Sequence, residues 1–313
     1  MTTSAKGVVQ AYRHEAVLYR GVNDYVDSLV PFIAEGLRAG EPVLVAVPTE
    51  RLATLRAALR GATGVGFVDM SEVGANPARI LPIWQAFLDD NRSAGTRLRG
   101  VGESIWAGRR PVELAECNRY EALLNIAVHP QTPLWLRCPY DVSVLESGTI
   151  LEAERNHPWV VENGIVHSGV DHHADDPFMC VRQRLAEPAA LDWDVIFDVT
   201  GARTVRERVA AHATDGGISR ERTDDLLLAV HEVVVSSLRR GGGSGRLRLW
   251  RDDASVVCEI RDRGRIVDPL VGCRMPSSTA LSGRGMWMVQ QLVDLAQVRS
   301  SSGGTTVRMH TWR

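Results

Sequence analysis

The chain has 313 residues, 44% hydrophobic and 24% charged, which is typical of a globular protein with two domains of ordinary size. Its 36 basic and 38 acidic side chains leave a net charge of −2, which excludes the strong overall positive charge of many nucleic-acid-binding proteins. No apolar run reaches the roughly 18 residues of a transmembrane helix, and Met1 to Gln10 lacks the apolar core of a signal peptide. We therefore expect a cytoplasmic protein that contacts neither a membrane nor nucleic acid.

The five cysteines are scattered and never spaced as C-x-x-C, so the sequence favours buried free thiols over disulfides or a structural zinc site. A group of possible metal ligands lies close together in the middle of the chain: His167, Asp171, His172 and His173. Adjacent histidines lack the i, i+4 spacing that places two imidazoles on one helix face, which favours a polar connector. We expect no metal site.

Strands and helices alternate through the first half of the chain. Apolar spacing and turn residues predict strands at 14–19, 42–47, 66–70, 98–101 and 133–138, and helices at 23–39, 49–59, 77–91, 111–127 and 147–154. The continuous apolar run from Pro42 to Val47 is typical of a strand covered on both faces. This order predicts a doubly wound α/β domain with a mostly parallel sheet and helices on both faces.

Residues 156–188 have a different character, because X-Pro and Asn-Gly pairs interrupt any long element. We interpret this stretch as an irregular connector and place a domain boundary near residue 185, which gives domains 1–185 and 186–313. The second half is predicted to contain strands at 192–198, 246–251, 256–261, 296–300 and 305–311, and helices at 203–212, 219–240 and 285–293. Helices followed by a run of strands indicate a two-layer α/β sandwich with a mixed or antiparallel sheet.

Three motifs follow one another in the second half. Glu232 lies near the end of a long helix that the GGGSG run of residues 241–245 terminates. Asp262-x-Gly264 directly follows a strand, and Gly283-x-Gly285 opens a helix. Each motif alone is common in a chain with 28 glycines, whereas the ordered set is much more specific.

With these motifs, residues 192–313 resemble the histidine-kinase-like ATPase domain of RsbW/SpoIIAB-type anti-sigma factors, which has the Bergerat (GHKL) fold. The segments that carry the resemblance are LAVHEVVVSSLRRGG (228–242), IRDRGRIVDP (260–269), GRGMWMVQQLVD (283–294) and GGTTVRM (303–309). The resemblance implies that the domain binds ATP with Mg²⁺.

The resemblance also assigns roles to residues of this sequence. Glu232 corresponds to the general base, and Asp262 to the acid that accepts the exocyclic amine of adenine. Gly264 and Thr305 belong to the adenine site. Backbone amides at a helix start form an anion site, which makes Gly283, Arg284 and Gly285 candidate phosphate ligands.

Three positions depart from the family pattern. Ser236 stands where the family has the asparagine that holds Mg²⁺, and Arg240 stands where it has a histidine. Arg265 replaces the second glycine of the D-x-G-x-G motif and places a large side chain beside the expected nucleotide site. These departures predict weakened or lost ATP binding and leave kinase activity open.

The first half contains no G-x-x-x-x-G-K-[ST] motif and hence no P-loop. Residues 14–48, 102–125 and 136–141 resemble the MEDS sensory domain of DcmR-type regulators, which implies a RecA/KaiC-like fold without a phosphate loop. A sensed ligand would be expected at the carboxyl ends of the strands. The candidate ligand-binding residues are His14, Glu15, Trp106, Arg109, Arg110 and Tyr140.

Structural roles compete with sensing for most of these candidates. His14 and Glu15 could equally be polar residues satisfied within the fold. The aromatic and basic loop of Trp106, Arg109 and Arg110 directly follows a strand and is the hardest to explain structurally.

The two resemblances together imply a cytoplasmic transcription regulator of the partner-switching type, as in a stress response. Its ATPase domain would bind a sigma factor or a STAS-domain anti-anti-sigma protein, and its sensory domain would gate this binding by sensing a small-molecule ligand or another protein. One alternative is an active Mg-ATP-dependent serine/threonine kinase that phosphorylates a STAS antagonist. A second alternative is a ligand sensor with a degenerate ATPase scaffold. Because ATPase domains of this family often dimerise, a homodimer is also expected.

Overall fold

The computed structural model of the protein describes residues 12–170, 183–276 and 283–313. The chain divides into two compact units, and each is described by itself below. The first unit comprises Met1–Ala75 and Ile83–Pro177, and the second comprises Asn76–Pro82 and Phe178–Arg313. Among the described residues, no helix is long and apolar enough to cross a membrane.

A seven-stranded sheet forms the centre of the first unit. Its strands are β1 (Arg13–Tyr19), β2 (Val43–Val47), β3 (Val65–Asp69), β4 (Leu98–Gly102), β5 (Leu134–Asp141), β6 (Trp159–Glu162) and β7 (Ile165–Ser168). They are arranged in the order β3-β2-β4-β5-β1-β6-β7, and every neighbouring pair is parallel except β6 and β7. The helices between them are α1 (Gly21–Arg38), α2 (Thr49–Leu59), α3 (Ile80–Asp90), α4 (Pro111–Ala127) and α5 (Ser147–Asn156).

Helices cover both faces of this sheet, so the predicted doubly wound fold is confirmed. On one face, the Arg99 guanidinium of β4 donates to the Phe32 carbonyl of α1 (2.8 Å). On the other face, Trp84 of α3 lies so close to β4 that a Cβ atom on Gly100 would be 2.6 Å from its ring. Glycine at this position therefore allows the helix to approach the sheet closely.

The β6–β7 hairpin differs from the irregular connector that we predicted after residue 156. Asn163 and Gly164 form its turn with positive φ angles of 51° and 77°. Two such residues in succession are the requirement of a tight type I′ hairpin turn, so the Asn-Gly pair was a hairpin signal rather than a break. The hairpin extends the sheet beside β1.

The second unit contains a five-stranded antiparallel sheet covered on one face by helices. Its strands are β8 (Trp193–Phe197), β9 (Gly245–Arg251), β10 (Ser255–Asp262), β11 (Leu295–Ser301) and β12 (Gly304–Trp312), in the order β11-β12-β10-β9-β8. Its helices are α6 (Ala202–Asp215), α7 (Arg220–Arg240) and α8 (Arg284–Leu292). Apolar residues of all three helices pack against Val256, Cys258 and Ile260 of β10. The predicted two-layer sandwich is confirmed.

Candidate functional site

A cavity of about 500 Å³ opens in the second unit between α7, the chain after β10 and the start of α8. Its volume lies in the range of ligand pockets in proteins, roughly 300–1,000 Å³. All nine residues to which the sequence assigned a catalytic or nucleotide-binding role line this cavity: Glu232, Ser236, Arg240, Asp262, Gly264, Gly283, Arg284, Gly285 and Thr305. The fold thus brings together residues from four separate segments of the chain.

Asp262 is held in a fixed orientation at the end of β10. The Ser237 hydroxyl donates to its Oδ2 atom (2.6 Å), and the Gly264 amide donates to its Oδ1 atom (2.7 Å). A Cβ atom on Gly264 would lie 2.8 Å from the same Oδ1, so a larger residue here would displace the Asp262 carboxylate. An ionised carboxylate has about four acceptor sites, and Asp262 therefore keeps capacity for a donor from a ligand.

Thr305 closes the same corner of the cavity from β12. Its hydroxyl donates to the Gly264 carbonyl (2.9 Å) and lies 2.9 Å from the Ser300 hydroxyl. The Ser300 oxygen in turn accepts from the Ile266 amide (2.9 Å). This chain of hydrogen bonds connects β11, β12 and the loop after β10, and it makes the Asp262 corner rigid.

Glu232 faces the beginning of α8. Gly283 precedes that helix with a φ of 89°, which favours glycine, and the Trp287 amide donates to its carbonyl (3.0 Å). A Cβ atom on Gly285 would lie only 2.6 Å from Glu232 Oε2, so the carboxylate is in contact with the first turn of α8. Ser236 lines the cavity one turn further along α7 and is exposed. The start of α8 offers amides and a positive dipole end to an anion, beside a carboxylate.

Positive charge predominates around the cavity. Among the described residues, five arginines but only three acids line it. The acids are Glu232, Asp262 and Asp268, and the arginines are Arg239, Arg240, Arg265, Arg274 and Arg284. Arg265 has an exposed side chain next to the Asp262 corner, as the departure from the family motif led us to expect. The balance of charge suits a polyanionic ligand.

Comparison with known families gives one match in each half of the chain. Residues 13–158 match the MEthanogen/methylotroph, DcmR Sensory domain (MEDS). Residues 197–311 match the Histidine kinase-like ATPase domain.

The chain joins a MEDS domain to a histidine kinase-like ATPase domain.

Among solved structures, the chain is similar to the RsbU and RsbW domains of Rv1364c from Mycobacterium tuberculosis, with 21% sequence identity. The similarity covers 39% of this chain and 33% of that chain, so it spans about a third of the protein it matches. The TM-score is 0.30.

In the MEDS domain, the carboxyl ends of the parallel strands hold a buried polar cluster around Glu103. Tyr19 and Tyr25 donate to its two carboxylate oxygens at 3.2 and 3.0 Å. The Arg51 guanidinium lies 3.4 Å from Asp141 Oδ2 and stacks over the Tyr25 ring at 4.8 Å. Burial raises the pKa of Glu103 to about 7, although the two tyrosines and Arg51 oppose this shift.

The aromatic and basic loop after β4 is engaged within the fold. The Arg109 guanidinium donates to the carbonyls of Ser104 (2.9 Å), Ala75 (3.0 Å) and Gly74 (2.7 Å), and it lies 3.9 Å from the centre of the Trp106 ring. Arg110 pairs with Glu113 at 3.1 Å in the first turn of α4. Both arginines therefore contribute to holding this loop and helix in place.

Of the other sensory candidates, His14 and Glu15 lie away from the carboxyl strand ends where we expected them, whereas Tyr140 lies near the carboxyl end of β5 as expected. His14 and Glu15 are the second and third residues of β1, at its amino end, so that part of the expectation was wrong. Both are buried, and Arg137 Nε donates to Glu15 Oε2 (2.9 Å). Tyr140 is buried within β5.

The expected free thiols are found where the structure describes them. Cys117, Cys138, Cys258 and Cys273 are buried and belong to no disulfide, and Cys180 lies outside the described residues. Of the possible metal ligands in the connector, His167 is exposed on β7, whereas Asp171, His172 and His173 lie outside the described residues.

A different group of possible metal ligands, which the sequence did not indicate, comes together in the MEDS domain: His14, Glu121, Cys138 and His157.

Proposed function

We propose that this protein is a cytoplasmic transcription regulator of the partner-switching type, with its domain boundary near residue 185. Its ATPase domain binds a sigma factor or a STAS-domain anti-anti-sigma protein, and its MEDS domain gates this binding by sensing a small molecule. The observation that supports the proposal is the single cavity that unites Glu232, Asp262 and the start of α8. Such a site suits a nucleotide-dependent switch of the kind the ATPase family implies.

The cavity has groups suited to both parts of ATP, the adenine ring and the phosphates. Asp262 is oriented by two hydrogen bonds and retains acceptor capacity for the adenine amine. The first turn of α8 and the surrounding arginines would hold the phosphates through amides and positive charge. Ser236 would hold Mg²⁺ through its hydroxyl together with water, since Mg²⁺ accepts oxygen ligands and usually keeps several waters.

Titration of the full chain with Mg-ATP in a calorimeter tests the nucleotide site. We expect saturable binding that Asp262→Asn weakens about tenfold or more, because the variant loses a charge-assisted hydrogen bond of about 1.5–3 kcal/mol. Asp224→Asn is the matched control, since Asp224 is an exposed acid on α7 outside the cavity. Equal binding by wild type and both variants, or no binding by any, would remove the basis for a nucleotide-dependent switch.

The partner proposal has its own test. We expect the purified chain to retain a sigma factor or a STAS-domain protein in a co-elution experiment, and the MEDS signal or nucleotide to change the retained fraction. A chain that binds Mg-ATP but retains neither class of partner would argue for the ligand-sensor alternative, in which the ATPase domain is only a scaffold.

A second candidate function is a serine/threonine kinase, which the position of Glu232 favours. Its carboxylate contacts the turn of α8 where phosphates would lie, and a base in that place could accept the proton of an attacking hydroxyl. ATP would supply the phosphoryl group. Mass spectrometry of a STAS protein incubated with the chain and Mg-ATP would then show one added phosphate. Glu232→Gln should abolish this addition while Mg-ATP still binds. If the wild-type chain adds no phosphate, the kinase function is contradicted and the chain regulates its partner by binding alone.

A further inference from the structure

Four buried side chains from different elements of the MEDS domain point at one another. His14 lies on β1, Glu121 on α4, Cys138 on β5 and His157 directly after α5. The four atoms that could bind a metal lie within 4.8 Å of one another. The cluster combines two imidazoles, a thiol and a carboxylate, and the nucleotide site has no part in it.

Four of the six separations within the cluster agree with tetrahedral coordination. His14 Nε2 lies 3.3 Å from Cys138 Sγ and 3.4 Å from Glu121 Oε2. Glu121 Oε2 lies 3.4 Å from Cys138 Sγ and 3.7 Å from His157 Nε2. Zinc bonds of about 2.0–2.3 Å to nitrogen, oxygen and sulfur place tetrahedral ligand atoms about 3.3–3.7 Å apart. The other two separations, from His157 to His14 and to Cys138, are at most 4.8 Å and would shorten where necessary when Zn²⁺ binds.

Hydrogen bonds on the outer side of each histidine select the tautomer that a metal needs. His157 Nδ1 lies 2.7 Å from the Ala153 carbonyl, which can only accept, so Nδ1 carries the hydrogen. His14 Nδ1 lies 2.9 Å from Asn125 Oδ1, and the Asn125 amide nitrogen donates to the Asn156 carbonyl (2.7 Å), which fixes the oxygen towards His14. In the neutral form both Nε2 atoms then carry lone pairs directed at the cluster. A metal-binding histidine typically donates the hydrogen of its other ring nitrogen to an acceptor of this kind.

The remaining contacts of the cluster also suit a cation. Ser104 donates to the outer oxygen of Glu121 and leaves Oε2 facing the other three ligands. Two nitrogen lone pairs and a carboxylate oxygen thus converge beside the Cys138 thiol in a buried place.

We propose that His14, Glu121, Cys138 and His157 bind a Zn²⁺ ion inside the MEDS domain. Two imidazoles, a thiolate and a carboxylate in tetrahedral arrangement are a ligand set that zinc accepts. Because all four positions are protein ligands, the site is closed and structural. The ion ties α4 and the chain after α5 to the two central strands β1 and β5.

Cobalt substitution of the full chain tests this proposal. The chain is stripped with a chelator and titrated with Co²⁺, and its absorption spectrum is followed. We expect one equivalent of Co²⁺ to give the intense visible bands of tetrahedral coordination and a thiolate-to-cobalt charge-transfer band, and one equivalent of Zn²⁺ to remove both. Cys138→Ser should lose the charge-transfer band.

Cys117→Ser is the matched control, because Cys117 is also a buried thiol of the MEDS domain and lies on α4 one turn before Glu121, outside the cluster. This variant should keep the charge-transfer band. The cobalt spectrum of the wild-type chain tests for the metal site even if a variant fails to fold. A folded wild-type chain that gives no tetrahedral cobalt spectrum and holds no stoichiometric zinc overturns the proposal, as does an unchanged charge-transfer band in Cys138→Ser.

Discussion

Glu103 gives the MEDS domain a pH dependence that can be measured at the level of one residue. Burial raises its pKa to about 7 in the folded chain from an ordinary value of 4.5, so folding favours the protonated acid. The stability that this group contributes is complete below about pH 4.5 and is lost as the pH rises through 7. Relative to Glu103→Gln, the wild-type free energy of unfolding should therefore fall by about 3 kcal/mol between pH 4.5 and pH 8.

Urea unfolding of both proteins at several pH values measures this difference. Glu50→Gln is a suitable control, because Glu50 is an exposed acid in the first turn of α2. A wild-type-minus-variant difference that stays constant with pH would show that Glu103 keeps the same charge in the folded and unfolded chain.

At the scale of elements, the contact between α3 and β4 depends on a residue without a side chain. A Cβ atom on Gly100 would lie 2.6 Å from the Trp84 ring and 2.9 Å from Leu136, and both of these side chains are buried. Gly100→Ala should destabilise the MEDS domain by about 1–3 kcal/mol, the usual cost of overpacking a well-packed core. Thermal unfolding measures this loss.

A glycine of another element provides the comparison for that experiment. Gly148 lies in the first turn of α5, where an added Cβ atom would contact nothing within 4 Å. Gly148→Ala should leave the stability unchanged or raise it by up to about 1 kcal/mol, since alanine favours the helix. Equal destabilisation by both substitutions would contradict the packing argument for Gly100.

The elements themselves were largely predictable because their signals are local. Helical spacing and the glycine run after Arg240 predicted α7, and the structure ends this helix at that residue. The ordered motifs also identified residues that the fold gathers around one cavity. The β6–β7 hairpin was missed because the Asn163–Gly164 turn was interpreted as a break.

The buried cluster of the MEDS domain could not be predicted in the same way. His14 and Cys138 become neighbours because β1 and β5 pair in parallel, with Ala16 opposite Cys138. Strand order and register of this kind depend on long-range packing, and no spacing in the sequence records them. His14 also lies at the amino end of its strand, away from the carboxyl ends of the strands where α/β folds bind ligands.

At the scale of the whole molecule, two units with separate cores offer two separate places for a ligand to act. A ligand that binds only the folded state stabilises the part of the chain that forms its site, by about 2.7 kcal/mol at a hundred times its Kd. If the MEDS domain gates partner binding, the coupling must also act in reverse, since a signal that changes the affinity for a partner is itself bound more or less tightly when the partner is present. Ligand effects should therefore be followed residue by residue in the full chain.

Hydrogen exchange of the full chain, with and without Mg-ATP, provides that map. We expect Mg-ATP at a hundred times its Kd to slow exchange by up to about a hundredfold in the peptides that line the cavity, residues 232–241, 262–276 and 283–289, because opening them requires release of the ligand. AMP at the same concentration is the control, since it keeps the adenine contacts with Asp262 and lacks the outer phosphates at the start of α8. Equal protection at residues 283–289 by both nucleotides would mean that this helix does not bind the phosphates.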